Sequence, residues 1–241
     1  MSVLDFNSRS MAGERMVALI DAAIDRVQET KRNYLGASAI GEPCARRLQY
    51  EFQGAPQDEG SGFTARTRRI FHRGHQGEEW VAAWIRGAGF ELRTEKNGRQ
   101  FGFEDCDGRF SGHIDGVFIN GPEGFKFPAL WENKVLGSKG FASLVKHGVA
   151  KVYPKYAAQV AVYQAYLQLA ENPAIFTALN ADTMEIHIEF VAFDQALAQE
   201  NIDKAARVLT ACDHCETLPR AADDADSFTC KFCPYRGVCW N

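Results

Sequence analysis

The stretch from Ser111 to Val135 constrains this chain most. It reads SGHIDGVFIN, a loop rich in Gly, Pro and Phe, then ALWENKV. Two runs of strand-forming residues around such a loop predict paired strands over 109–119 and 129–135, joined across 120–128. Asp115 lies in the first run, and Glu132 and Lys134 stand two apart in the second. Residues i and i+2 of a strand share a face, so Glu132 and Lys134 project together, and pairing brings Asp115 to that face. Two carboxylates sharing a site repel unless a cation lies between them. Oxygen donors suit Mg²⁺ or Mn²⁺. A metal lowers the pKa of bound water and offsets phosphate charge, and a neighbouring ammonium orients the water or stabilises developing charge. The pattern therefore fits phosphodiester hydrolysis. Its bland alternative is an exposed strand with one salt bridge, since acid–x–Lys also arises by chance.

The rest of the chain supplies elements to surround that pair. Apolar residues at helical spacing predict helices over 12–30, 64–87, 156–169 and 195–212. In the second, Trp80, Val81 and Trp84 are expected on one buried face; in the third, Val160, Tyr163 and Leu167. Ser38 is a candidate cap for a short helix carrying Cys44. Further strands are expected over 90–94, 99–103 and 184–193, and 53–62 reads as a loop rich in Gly, Pro and acid. The order implies an α/β core with helical and cysteine-bearing ends.

Charge narrows the reading. The formal net charge is −4, so a contact with nucleic acid would have to come from local patches: Arg66, Arg68, Arg69 and Arg73, or Arg46 with Arg47. Charge alone favours reading either patch as a solvated face. The first ten residues carry no apolar signal, and no run approaches the roughly 18 apolar residues of a membrane span. Of seven cysteines, five fall between Cys212 and Cys239, which argues for metal ligands in a reducing, cytoplasmic compartment. Cys230-x2-Cys233-x5-Cys239 is a strong metal signal; Cys212, Cys215, Cys230 and Cys233 also match a zinc-ribbon spacing, and spacing alone favours zinc.

Two more pairs complete a series. His75 and Glu78 stand three apart on a predicted helix, and Gln159 and Tyr163 four apart on another, so each pair shares a face. The ordered set Gly74-x3-Glu78, Gly112-x2-Asp115, Glu132-x-Lys134 and Gln159-x3-Tyr163 resembles the motifs of RecB-like PD-(D/E)XK nucleases. The likeness covers roughly residues 36–241 and is similar to CRISPR-associated RecB-like exonucleases and their phage-encoded relatives. It implies a restriction-endonuclease-like core, a central mixed sheet flanked by helices, over residues 64–211. Residues 1–63 would be helical and contribute one cluster cysteine, and 212–241 would be a cysteine-rich cluster region.

The resemblance also assigns roles. His75, Glu78, Asp115 and Glu132 would hold Mg²⁺ or Mn²⁺, with Asp115, Glu132 and Lys134 catalytic and Gln159 and Tyr163 supporting the site or contacting DNA. Apart from the resemblance, Arg46, Arg69 and Arg73 are candidates to guide a strand by charge, and Tyr163 by stacking. Against the spacing argument, the resemblance favours a [4Fe–4S] cluster on Cys44, Cys230, Cys233 and Cys239 over zinc. It implies a nuclease acting on DNA ends, single strands preferred, in recombination or CRISPR-type processing with protein partners. The alternatives are a structure-specific endonuclease on the same fold, or a silent metal-stapled DNA-binding subunit. Asn133 departs from the usual apolar middle residue of the third motif, and Glu79, His113 and Cys106 are read as neighbours without a role.

Overall fold

The computed structural model describes residues 11–27 and 32–241. Helix α1 (Met11–Asp25) lies against the later α3, joined by the Arg69–Asp21 ion pair and by Arg68–Asp25 at 3.6 Å. The last residues of the helix expected over 12–30 lie outside the described residues. Strand β1 (Leu35–Gly36) precedes α2 (Ala45–Gln53) and α3 (Ala65–Gly87). Short strands follow: β2 (Glu91–Arg93), β3 (Glu95–Lys96), β4 (Arg99–Gln100), β5 (Gly102–Asp105), β6 (Phe110–His113) and β7 (Gly116–Asn120). Then come β8 (Ala129–Leu136), α4 (Ser138–His147), α5 (Val149–Val152), α6 (Pro154–Tyr166), β9 (Ala174–Asn180) and β10 (Ile186–Val191). The chain ends in α7 (Gln195–Asp213), α8 (Phe228–Lys231) and α9 (Arg236–Trp240).

The central sheet has strand order β10-β9-β8-β7-β2, and only β8 and β9 run parallel. One face carries α3, whose Val81 and Ala82 pack on Leu92, Phe118, Trp131, Ile175 and Leu179. The other face carries α4, α6 and α7 over Leu130, Leu136, Phe176 and Ala178. Alternation explains the split: odd residues of β8 and β9 face α3, even ones face α6. A mixed sheet between helices is the architecture expected from the motifs.

Several local expectations change. The single strand expected over 109–119 is two, because the chain leaves the sheet at Ile114 and Asp115 and passes from β6 to β7. β6 instead pairs with β1 and β5 in a small second sheet. Trp80 and Trp84 are half exposed, and Val81 alone of that trio is buried. Ser38 caps no helix; Cys44 itself occupies the N-cap of α2. β9, wholly buried, lies in a stretch for which the sequence suggested no element. A strand buried on both faces loses the alternation that would reveal it.

The tail returns to the N-terminal half. Gln49 holds Glu216 O at 2.5 Å and Leu218 N at 3.0 Å, and Asp58 accepts from Gly237 N at 3.0 Å. Buried Lys204 of α7 donates to Ile40 O (2.8 Å), Glu42 O (3.1 Å) and Asn201 Oδ1 (2.9 Å). Glu42, also buried, takes Arg47 at 3.1 Å and Lys155. These charged cross-links tie α2, α6 and α7 into one framework behind the site.

Candidate active site

The site forms where β8 outruns β7. Register stops at Gly116 opposite Trp131, so the backbone of Asn133 has no partner strand on that side. Asp115, sitting at the break before β7, fills the place: its Oδ2 accepts from Asn133 N at 2.7 Å. Glu132 and Lys134 project from β8 toward α6, with Lys134 Nζ donating to Glu132 Oε1. Gln159 Nε2 donates to the same oxygen at 2.8 Å and lies 3.4 Å from the Tyr163 hydroxyl. Beyond the end of β7 the sheet is open, and α3 brings Glu78 and His75 to the gap. The close approach of α3 depends on Gly77, where a Cβ would meet Val135 Cγ2 at 2.5 Å. Gly112 works likewise beneath Tyr163, whose ring a Cβ would meet at 2.5 Å.

Together these residues line an open cleft of about 680 Å³. The structure thus brings together His75, Glu78, Asp115, Glu132, Lys134, Gln159 and Tyr163 from four separate elements. The polar residue in the middle of Glu132-x-Lys134 is explained by the other face of β8. There Asn133 Oδ1 accepts from Thr177 Oγ1 at 2.8 Å, and Thr177 accepts from Trp131 Nε1 at 2.9 Å. Sequence reasoning missed Tyr156, whose ring lies 5.0 Å from Lys134 Nζ, although its place three residues before Gln159 puts it on the same helix face. It also missed Ile70, Phe71, Gln100 and Arg32, which line the cleft without forming any recognisable spacing.

Burial dominates the electrostatics. Glu132 is fully buried, and burial followed by the nearby Asp115 charge pushes its carboxyl up to about 8. Glu78 is pushed up to about 7 by burial and then by Asp115. Burial also raises Asp115, against the opposing influence of Lys134, the Asn133 N–H and His75. Burial pulls Lys134 down, but Glu132 and Asp115 more than reverse it, so its ammonium is held above the ordinary lysine value. Tyr163 is raised by burial and by Glu132, which keeps its hydroxyl protonated. Three acids compete for one lysine, and among the described residues Glu132 Oε2 is buried with no hydrogen-bond partner. Among the described residues no three His, Cys, Asp or Glu side chains form a finished metal-binding group. Lys134 occupies the position between the acids that a cation would take. The oxygen-only acids and the orphaned Glu132 oxygen are nonetheless the donor chemistry of a hard divalent ion.

The arginines expected to guide a strand lie elsewhere. Arg69 pairs with Asp21 of α1, Arg73 faces Asp182 in the β9–β10 turn, and Arg46 binds Leu218 O with Nη1 3.6 Å from Cys239 Sγ. None of the three lines the cleft. Arg46 belongs instead to a second, small pocket lined by Cys44, Cys230, Cys233 and Cys239, with Arg47, Arg220 and Arg236 also on its wall. Cys212 and Cys215 do not line it. The four thiols come from the N-cap of α2 and from the tail, nearly two hundred residues apart in sequence.

The mixed sheet flanked by helices, with the cleft at its open end, is an architecture consistent with the PD-(D/E)XK exonuclease fold. Structural comparison gives the particular likeness: the alkaline exonuclease LHK-Exo from Laribacter hongkongensis, at TM-score 0.54 and 16% identity, covering 82% of this chain and 93% of that one. The same exonuclease in complex with dAMP matches at TM-score 0.54 and 16% identity over 76% and 89% of the two chains. SSO0001 aligns over 96% of this chain and 98% of its own at 13% identity, with a TM-score of 0.44. No family model and no curated protein sequence matches the chain. Among the described residues no helix is long and apolar enough to cross a membrane.

Proposed function

We propose that this protein is a DNA nuclease that hydrolyses phosphodiester bonds with Mg²⁺ or Mn²⁺, acting from DNA ends and preferring single strands. The observation that carries the reading is the meeting of Glu78, Asp115 and Glu132 around Lys134 in one open cleft, with a buried Glu132 oxygen left without a partner. The shared fold with an exonuclease that has been crystallised with dAMP supports the choice of DNA and of ends. Glu78, Asp115 and Glu132, with His75 beside them, would hold the ion. When bound, such an ion lowers the pKa of a coordinated water and offsets phosphate charge.

The chain's own residues do the rest. Gln159 fixes the rotamer of Glu132, and the Asn133 N–H fixes Asp115, so the acids are positioned before substrate arrives. Lys134 keeps its proton throughout the working range and supplies a fixed positive charge for a developing phosphorane or oxyanion. Tyr156 and Tyr163 border the cleft, and Phe71 at its mouth is exposed enough to stack on a base. The reading is tested by offering linear and covalently closed circular single strands of one sequence. Shortening of the linear strand alone is expected; cutting of the circle at a comparable rate would reassign the protein as an endonuclease.

The cysteine pocket is proposed as the seat of a [4Fe–4S] cluster on Cys44, Cys230, Cys233 and Cys239. Four thiols on one small wall, beside four arginines able to offset thiolate charge, support that ligand set over the zinc-ribbon set. Bound there, the group would staple the tail to α2, adding its binding energy to folding.

A further inference from the structure

Away from both pockets, the central sheet ends in a bare apolar edge. Among the described residues β10 is an edge strand, bonded to β9 alone. Asn180 N donates to Glu185 O at 2.8 Å, and antiparallel bonding alternates along a strand. The backbone groups of 187, 189 and 191 therefore turn toward β9, and those of Ile186, Ile188 and Phe190 turn outward. The same three side chains are 46%, 51% and 56% exposed. They stand on the α3 face, since they register with Leu179, Thr177 and Ile175.

α3 forms the other wall. It lies over β8 and β9, as the contacts at Gly77 show, with Arg86 on its β2 flank bonded to Leu92 O at 2.9 Å. Trp80 and Trp84, one turn apart, fall on the opposite flank, the one from which Arg73 faces Asp182. Each indole is 44% exposed. Phe125, 6.4 Å from Phe190, extends the surface at its far end. Aromatic side chains bury about 150–250 Å² each, so Phe190, Trp80, Trp84 and Phe125, each about half bared, leave about 300–500 Å² in water beside the two isoleucines. That is the size of the largest patch on a typical monomer, about 300–600 Å².

We propose that this edge is the dyad of a homodimer, with β10 pairing antiparallel to β10 of a second copy so that the two sheets become continuous. The order of residues along the strand argues for a second copy over a foreign strand. With the dyad at Ile188, that residue meets its own image, Ile186 meets the partner's Phe190, and His187 meets the partner's Glu189. The apolar stripe is thus self-complementary, as an isologous interface requires, and on the other face His187 would come beside the partner's Glu189, whose carboxylate already accepts from Val149 N at 2.9 Å. Spacing agrees as well. At about 4.8 Å per strand, α3 and its image would lie about 20 Å apart, a gap for the facing Trp80 and Trp84 side chains of both copies. One association covers the open backbone edge, the apolar stripe and the tryptophan wall, each a liability if left in water.

Light scattering and sedimentation of the full chain across micromolar to submillimolar concentration test the proposal. The expected mass is twice the 26.8 kDa of the chain. Ile188→Lys, at a half-exposed position outside the cleft, is expected to halve that mass while leaving far-UV dichroism and DNA cleavage unchanged. His187→Glu sets a carboxylate against the partner's Glu189 and should weaken association at least tenfold. Amide exchange supplies a second reading: the Ile186, Ile188 and Phe190 amides should be protected in the wild type and exchange freely in Ile188→Lys. A wild type that stays monomeric with those amides unprotected would overturn the proposal. So would a dimer that survives Ile188→Lys, because its contact would lie elsewhere.

Discussion

Glu132→Gln should make the metal-free protein more stable, and more so as pH rises. Glu132 is fully buried, and its carboxyl is pushed from 4.5 to about 8 by burial and by Asp115. Because its folded pKa lies above the unfolded one, the native state holds more protons than the unfolded chain between those values. Stability is therefore full below about pH 4.5 and falls as pH rises toward 8. At pH 7 the loss is about 3 kcal/mol, and at pH 5 it is under about 1 kcal/mol. Gln keeps the shape and can still accept from Gln159, but it carries no charge to desolvate. For a chain of this size, about 3 kcal/mol corresponds to a rise in Tm of about 6–12 °C. Thermal melts of both proteins in a divalent-ion chelator, from pH 5 to pH 8, read the difference directly. The gain should be small at pH 5, grow steadily, and accompany loss of activity. A Tm difference that stays constant with pH would show that Glu132 is not paying a burial penalty.

Other outcomes follow from the same geometry. Mg²⁺ affinity should tighten as pH rises through about 7, because Glu78 and Glu132 must give up protons to take the ion, and an affinity flat from pH 6 to pH 8 would contradict the burial of those acids. Lys204→Ala strips a donor from three buried acceptors and should cost about 3 kcal/mol in denaturant unfolding, whereas Lys139→Ala, on the exposed start of α4, should cost little. Cys44→Ser should abolish bound iron, measured by absorbance and metal analysis of anaerobically purified protein, while Cys212→Ser should retain it; the opposite pattern would reject the ligand set. Gly77→Ala forces α3 off the sheet and should reduce cleavage more than Gly74→Ala, whose added methyl meets open space.

How much of this was legible in the sequence differs by element. The core of the site was, because an acid two residues from a lysine on an apolar strand has only one face to share, and because helix spacing pairs His75 with Glu78 and Gln159 with Tyr163. The break at Asp115 was not: nothing in GHIDGVF separates one long strand from two, and the division follows from the second sheet drawing β6 toward β1. β9 escaped notice because uniform burial removes the period that marks a strand. Gly74 belongs to the recognised motif, yet Gly77 is the glycine that contacts the sheet, a distinction only packing makes. Trp80 and Trp84 looked like core by helical spacing, and their exposure depends on an edge strand whose place in the sheet the sequence does not state. The arginines near the motifs resemble a DNA track in one dimension, but ion pairs and the cysteine pocket hold Arg69 and Arg46 in three.

The central claim is tested most directly by incubating anaerobically purified protein with end-labelled linear single-stranded DNA, with and without Mg²⁺ or Mn²⁺, beside Lys134→Ala. The account predicts metal-dependent shortening by the wild type and a loss of at least a hundredfold in the variant, which should still bind DNA. Equal cleavage by Lys134→Ala, or none by the wild type with either ion on single- or double-stranded DNA, would contradict it.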